Sequence, residues 1–218
     1  MATLTDRRAL RPSARTEVRG AGLPLAGLLF CLLAAGFLTV IMLGASLAPG
    51  YDYRGGAISD LGRIEATAWL FNLTLFGVGG LNIVAGTILY RWHRRAGLFA
   101  LYLVAGSGAI GAGAIPLGTS DLHSIFALVA FLFFNLEAIA TGFVLAGPMR
   151  PVSWVAGIIG LVYVAIMIVG DAGNPAVFGP IGHGGAERMI VYPVMLWMLA
   201  LAGYLMAGRS AEDALETR

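Results

Sequence analysis

The stretch LPLAGLLFCLLAAGFLTVIMLGASL, Leu23 to Leu47, decides the fold, because it runs for 25 residues without a charged side chain. A bilayer core takes about 20 apolar residues of helix to cross. The apolar part of a signal peptide is only about 7–15 residues long. Although arginines precede it, the run therefore reads as a retained membrane helix and not as a cleaved leader. Its one special side chain is Cys31, the only cysteine of the chain, which leaves no internal disulfide to form.

Working outward, five more apolar runs bounded by charges, prolines or glycine clusters predict an all-α integral membrane protein. The six spans fall at about 23–47, 67–90, 96–115, 121–146, 153–170 and 187–207. Composition agrees: 58% of the residues are hydrophobic and 12% charged, whereas a soluble domain is about one quarter charged. Residues 1–22 form an Arg-rich tail, 23–207 one six-helix membrane domain and 208–218 a second tail.

Every basic residue is an arginine. Arg54, Arg63 and Arg188 fall on one side of the predicted topology and the other eleven of the fourteen on the opposite side. Cytoplasmic segments retain Lys and Arg, so both termini are expected in the cytoplasm of a multi-pass cell-membrane protein. The net charge of +2 gives no bulk attraction to nucleic acid.

That topology puts three connectors outside: APGYDYRGGAISDLGRIEA (48–66), the brief IPLGTSDLH (115–123) and GDAGNPAVFGPIGHGGAERM (170–189). His123 opens the fourth span, Asp171 closes the fifth and Glu187 opens the sixth. Ionisable groups near membrane depth are costly unless paired or facing a wet cavity. Ser59, Asp60, His123, Asp171, Glu187 and Arg188 are accordingly the candidate ligand-binding set, with Arg188 expected to pair with Asp60 or Glu187 and pin the first loop to the last helix. The last connector, 171–186, with Pro175, Pro180 and its glycines, reads as an irregular lid, to which His183 belongs.

In the fourth span, steps of about 100° per residue bring His123, Ala127, Ala130, Phe134, Glu137 and Thr141 onto one stripe. Glu137 is expected to face the bundle interior, bonded to Asn72, Asn82, Asn135 or a backbone carbonyl. FGVGGLNIVAG (76–86) and LVAGSGAIGAGAIP (103–116) are stretches of small residues that let membrane helices approach closely. They lack the strand-then-helix setting of a phosphate-binding loop. No HExxH or CxxC spacing supports a metal, and no facing histidine pair supports haem, so no metal and no cofactor is expected.

YDYRGGAISDLG (51–62), NLTLFGVGGLNIVAG (72–86), IPLGTSDLHSIFALVAFLFF (115–134) and GGAERMIVYPVMLW (184–197) together resemble the prokaryotic multi-pass membrane family catalogued as domain of unknown function 998. The resemblance implies a six-helix bundle and points, by motif position, to Ser59, Asp60, Gly62, Asn72, Pro116, His123, Glu187 and Arg188. It implies no activity.

Three functions compete. The leading one is an outer-facing polar pocket that binds a lipid headgroup, a small solute or a partner protein; membrane lipids, a membrane protein or a second copy are the partners it implies. The second is a lipid hydrolase or transferase, with His123 as acid/base oriented by Asp60 or Asp171, Glu187 as acid or metal ligand and Arg188 on a phosphate or carboxylate. The third is a small proton-coupled transporter or accessory subunit using His123 and Glu137.

Overall fold

A computed structural model describes residues 22–216; the first tail therefore lies outside the described residues but for Gly22. Six helices long and apolar enough to cross a membrane carry the fold, and no strand occurs among the described residues. They are α1 (Leu23–Leu47), α2 (Ala68–His93), α3 (Ala96–Ala114), α4 (Leu122–Gly142), α5 (Met149–Asp171) and α6 (Gly182–Glu216). Two short 3-10 helices, Ile58–Gly62 and Pro175–Ile181, lie in the first and last of the three longer connectors.

Each helix packs along its neighbour in sequence, and α6 closes back onto α1, so the bundle is a ring. Short connectors force the helices to alternate in direction. The connectors 48–67, 115–121 and 172–181 therefore gather at one end of the ring, here called the loop-rich end.

Glycines form the seams. A side chain at Gly79 of α2 would land on the Gly106 carbonyl of α3. One at Gly108 of α3 would lie 2.7 Å from the Ala130 amide of α4, and one at Gly27 of α1 2.8 Å from the Ala202 carbonyl of α6. Helix association in lipid depends on such close packing because water no longer drives it.

Several span boundaries differ from those the apolar runs predict. α4 stops at Gly142, four residues short of 146, because Phe143–Pro148 turns over with Gly147 at φ +61°. Leu145 is nonetheless buried in that turn, which is why hydropathy counts it as span. α5 already begins at Met149 and α6 at Gly182, and the helix of α6 runs on through 208–216, beyond the apolar span that ends at Ala207.

Candidate functional site

The first connector is built on its own backbone before it meets the bundle. Asp52 accepts the amides of Arg54 (3.0 Å) and Gly55 (2.8 Å), which fixes a tight turn. Those two amides hold its carboxyl below the usual carboxylate range. Asp60 reaches back to the Ala57 amide (2.9 Å) and caps the 3-10 helix Ile58–Gly62. The far end is tied to α2, where Asn72 donates to the Gly62 carbonyl at 2.9 Å. A Cβ on Gly62 would sit 2.7 Å from the Asn72 amide oxygen, so the glycine makes that approach available.

α6 supplies the seat on which this connector docks. The Gly184 amide donates to the Arg54 carbonyl (2.9 Å), and the Ile58 amide donates to Glu187 Oε2 (2.6 Å). Arg188 donates to the carbonyls of Tyr53 (3.1 Å), Gly56 (3.3 Å) and Gly184 (2.7 Å) and to the Tyr51 hydroxyl (2.6 Å). Its guanidinium also lies over the rings of Tyr53 and Tyr51, 4.9 and 5.7 Å from their centres. Burial raises the Tyr51 phenol above its ordinary range, against the pull of the Arg188 hydrogen bond.

The pinning expected of Arg188 is thus present, but by a different chemistry. Its guanidinium makes no ion pair with Asp60 or Glu187; Asp60 lies only 3.9 Å from the exposed Arg63. Five N–H donors on a rigid fork match several converging carbonyls better than one carboxylate.

His123 is buried, 3% exposed. Its Nδ1 lies 3.1 Å from the Ala112 carbonyl and 2.7 Å from that of Ile115, both at the C-terminal end of α3. Carbonyls only accept, so Nδ1 carries a proton, and in the neutral imidazole Nε2 is then the acceptor on the other side of the ring. Among the described residues no atom bonds to that Nε2. The acid–histidine pair expected from Asp60 or Asp171 does not form, because helix-end carbonyls already occupy the orienting position. Asp171 instead meets His183, at 3.2 Å.

A cavity of about 590 Å³ opens at the loop-rich end between α4, α5, α6 and the first connector. Ser59, Asp60, His123, Asp171 and Glu187 all line it, as does His183; Arg188 lies behind the wall. Its apolar wall includes Phe131, Val164, Met167 and Ile190. Leu128 of α4 and Ile168 of α5 also line it, yet they are 41% and 52% exposed, so the cavity reaches the perimeter of the ring between these helices. Beneath it a void of about 60 Å³ continues down the ring centre from Ser59, His123 and Glu187 to Asn135.

The 171–186 connector is more regular than a flexible lid. Phe178, 8% exposed, is driven between α5 and α6 by the 3-10 helix and lies against Gly170, while His183 stands edge-on to its ring at 5.2 Å. It gives the cavity only Asp171 and His183, whereas Gly55, Ala57, Ser59 and Asp60 of the first connector cover more of the mouth.

Glu137 is fully buried as the stripe requires, and of the partners named for it Asn82 is the one found (3.0 Å). Asn135 turns to the carbonyls of Phe131 and Ile190. Asn82 also donates to the Tyr102 carbonyl, and the Tyr102 and Thr141 hydroxyls bond at 2.7 Å. Glu137 lines neither the cavity nor the void below it. Glu137→Gln keeps an acceptor for Asn82 and is expected to melt close to wild type, whereas Glu137→Ala strands the buried amide and costs about 2 kcal/mol. Equal melting of the two variants in detergent would refute that assignment.

Sequence reading missed Tyr51, Gly184 and the apolar wall residues. The tyrosines either side of Asp52 and the Gly-Gly pair before Ala186 were the available signals. Among the described residues no group of three or more His, Cys, Asp or Glu is placed to hold a metal ion. No curated protein and no solved structure matches the chain closely enough to carry an argument. A family model does match over residues 31–204, a range that includes every residue lining the cavity. With its six membrane-length helices, the chain belongs to the multi-pass membrane family described as Protein of unknown function (DUF998).

Proposed function

We propose that this protein binds a membrane amphiphile, with the polar head in the cavity at the loop-rich end and the apolar tail leaving between α4 and α5. In this reading the loop-rich end faces outward and both termini lie in the cytoplasm of the cell, as the arginine distribution favours. One observation carries the proposal: a single cavity of about 590 Å³ runs from Asp60, His123 and Glu187 to the exposed apolar side chains Leu128 and Ile168. Water-soluble ligands need no apolar exit in the wall of a membrane bundle. An amphiphile needs both a polar chamber and a gap on the lipid side.

Hydrolase or transferase chemistry has less support, since no carboxylate stands behind His123. A proton path from His123 to Glu137 has less still, because neither void reaches Glu137.

Ala127 lines both voids, so Ala127→Trp is expected to fill the chamber and strip retained lipid from the protein purified in mild detergent. Ile158→Trp, on a 53% exposed position of α5, is the matched control and should retain lipid like wild type. Native mass spectrometry reads both. The same lipid complement on wild type and Ala127→Trp would sink the proposal.

A further inference from the structure

We infer that the turn between α2 and α3, in RWHRRAG (91–97), is a binding site for the phosphate of anionic phospholipids, at the end of the ring away from the cavity. Its residues line neither the cavity nor the void beneath, so this site stands apart from the amphiphile reading.

Only Arg94 and Arg95 separate α2, which ends at His93, from α3, which starts at Ala96. A connector that short cannot rise off the bundle, so Arg91, Arg94 and Arg95 lie where two membrane-length helices leave the bilayer. All three are exposed. The turn is held as a unit: the Arg95 amide donates to His93 Nδ1 (2.9 Å), the Arg94 amide donates to the Tyr90 carbonyl (2.9 Å), and the Tyr90 and Phe99 rings meet across the two helices at 5.2 Å. Arg94, at φ +57°, is the one non-glycine among the described residues in the left-handed region, and its guanidinium lies 5.9 Å from the centre of the Tyr90 ring. Trp92, 37% exposed, stands beside them. Amphipathic rings of this kind settle at headgroup level.

Charge decides the occupant. Between residues 22 and 207 every acid lies at the loop-rich end except Glu137, which is inside the bundle. Among the described residues the ion pairs are Asp60 with Arg63 and Asp171 with His183, both at the loop-rich end, so no carboxylate answers these three guanidiniums. The planar fork of a guanidinium matches two oxygens of one phosphate, and anionic headgroups attract basic residues that flank a span. A zwitterionic head brings its own ammonium, which the same cluster repels. The acids Glu212, Asp213 and Glu216 follow the apolar part of α6, and in the ring α1 stands between α6 and α2. Asp6 and Glu17 belong to a tail with five arginines of its own. Lipid phosphate is the counter-charge within reach of the turn.

The test is native mass spectrometry of the full chain released from nanodiscs of phosphatidylglycerol and phosphatidylcholine in equal parts. Wild type is expected to retain phosphatidylglycerol over phosphatidylcholine by at least about tenfold, and Arg91→Gln with Arg94→Asn and Arg95→Gln to lower that preference at least about fivefold. Asparagine tolerates the left-handed backbone that Arg94 adopts, and melting in detergent checks that the fold is kept. Arg91→Gln with Arg95→Gln leaves the Arg94 turn untouched and is expected to lower the preference too, which keeps the test decisive should the triple variant fail to fold. Arg54→Gln with Arg63→Gln, at the loop-rich end, is expected to keep the wild-type preference, as is Glu212→Gln with Asp213→Asn and Glu216→Gln.

Equal retention of the two lipids by wild type, or an unchanged preference in the arginine variants of the turn, overturns the site. An equal loss in Arg54→Gln with Arg63→Gln also overturns it, because the preference would then belong to surface charge in general. Increased phosphatidylglycerol on the variant lacking the tail acids would show that those acids occupy the arginines, and overturns lipid as the occupant. Displacement of phosphatidylglycerol by free glycerol phosphate at equal concentration supports the phosphate chemistry and overturns the membrane source.

Discussion

Arg188→Ala is expected to release the first connector from α6, lower the unfolding free energy by about 3 kcal/mol, and expose the Arg54–Gly55 bond to trypsin. In the intact protein the Arg54 carbonyl is bonded to the Gly184 amide, and the chain around it is held by Arg188 through Tyr51, Tyr53 and Gly56. Removing the guanidinium strands several carbonyl and hydroxyl groups at once. Hydrogen bonds to a charged group contribute about 1.5–3 kcal/mol each, and bonds sharing one donor do not add. Arg188→Lys is expected to recover little, since a single ammonium cannot span the Tyr51 hydroxyl and the three carbonyls. Detergent melting and limited trypsinolysis read the result. Wild-type melting with Arg54 still protected would show that the connector is held by Glu187 and Gly184 alone.

The same residue separates what the sequence discloses from what it conceals. A buried arginine next to a glutamate, facing a loop with an aspartate, invites a reading in terms of charge pairs. Its actual partners are the Tyr51 hydroxyl and the backbone carbonyls of Tyr53, Gly56 and Gly184, and carbonyls have no letter in the sequence. His123 follows the same pattern: its depth and face were legible from the helical stripe, but its orienting groups are the carbonyls of Ala112 and Ile115. Glu137 is more legible: the stripe places it in the interior, bonded to Asn72, Asn82, Asn135 or a backbone carbonyl, and Asn82 is the partner it meets.

Number and order of the spans were legible because each run is long, apolar and ended by charge or by Pro and Gly. Boundaries failed where local composition misrepresents conformation. Phe143–Leu145 are apolar but lie in a turn, and Gly182–Gly185 are poor helix formers that nonetheless start α6. In the second case packing overrides propensity. A side chain at Gly184 would strike the carbonyl of Gly56, and one at Gly182 that of Arg54, so the seat for the first connector needs residues without side chains. Closure of α6 onto α1 left no local signature, because it joins positions far apart in the chain.

The seam between α2 and α3 gives the other large expected effect. FGVGG contains three glycines, Gly77, Gly79 and Gly80, and composition treats them alike. A Cβ on Gly79 would land on the Gly106 carbonyl, with Ile110 Cγ1 2.6 Å away, whereas nothing lies within 4 Å of one on Gly77 or Gly80. Backbone cannot swing aside as a flexible side chain can. Gly79→Leu is therefore expected to push α2 from α3 and cost about 3 kcal/mol. Gly77→Ala and Gly80→Ala are expected to be neutral or to stabilise by up to about 1 kcal/mol through helix propensity. Gly79→Ala is the sharper comparison with Gly80→Ala: each adds one methyl to the same helix, one residue apart, so propensity cancels and only the seam differs. A lower melting temperature for Gly79→Ala alone supports direct backbone contact between the helices. Identical melting would mean that the two helices are held apart by other residues and that the glycine at 79 is incidental.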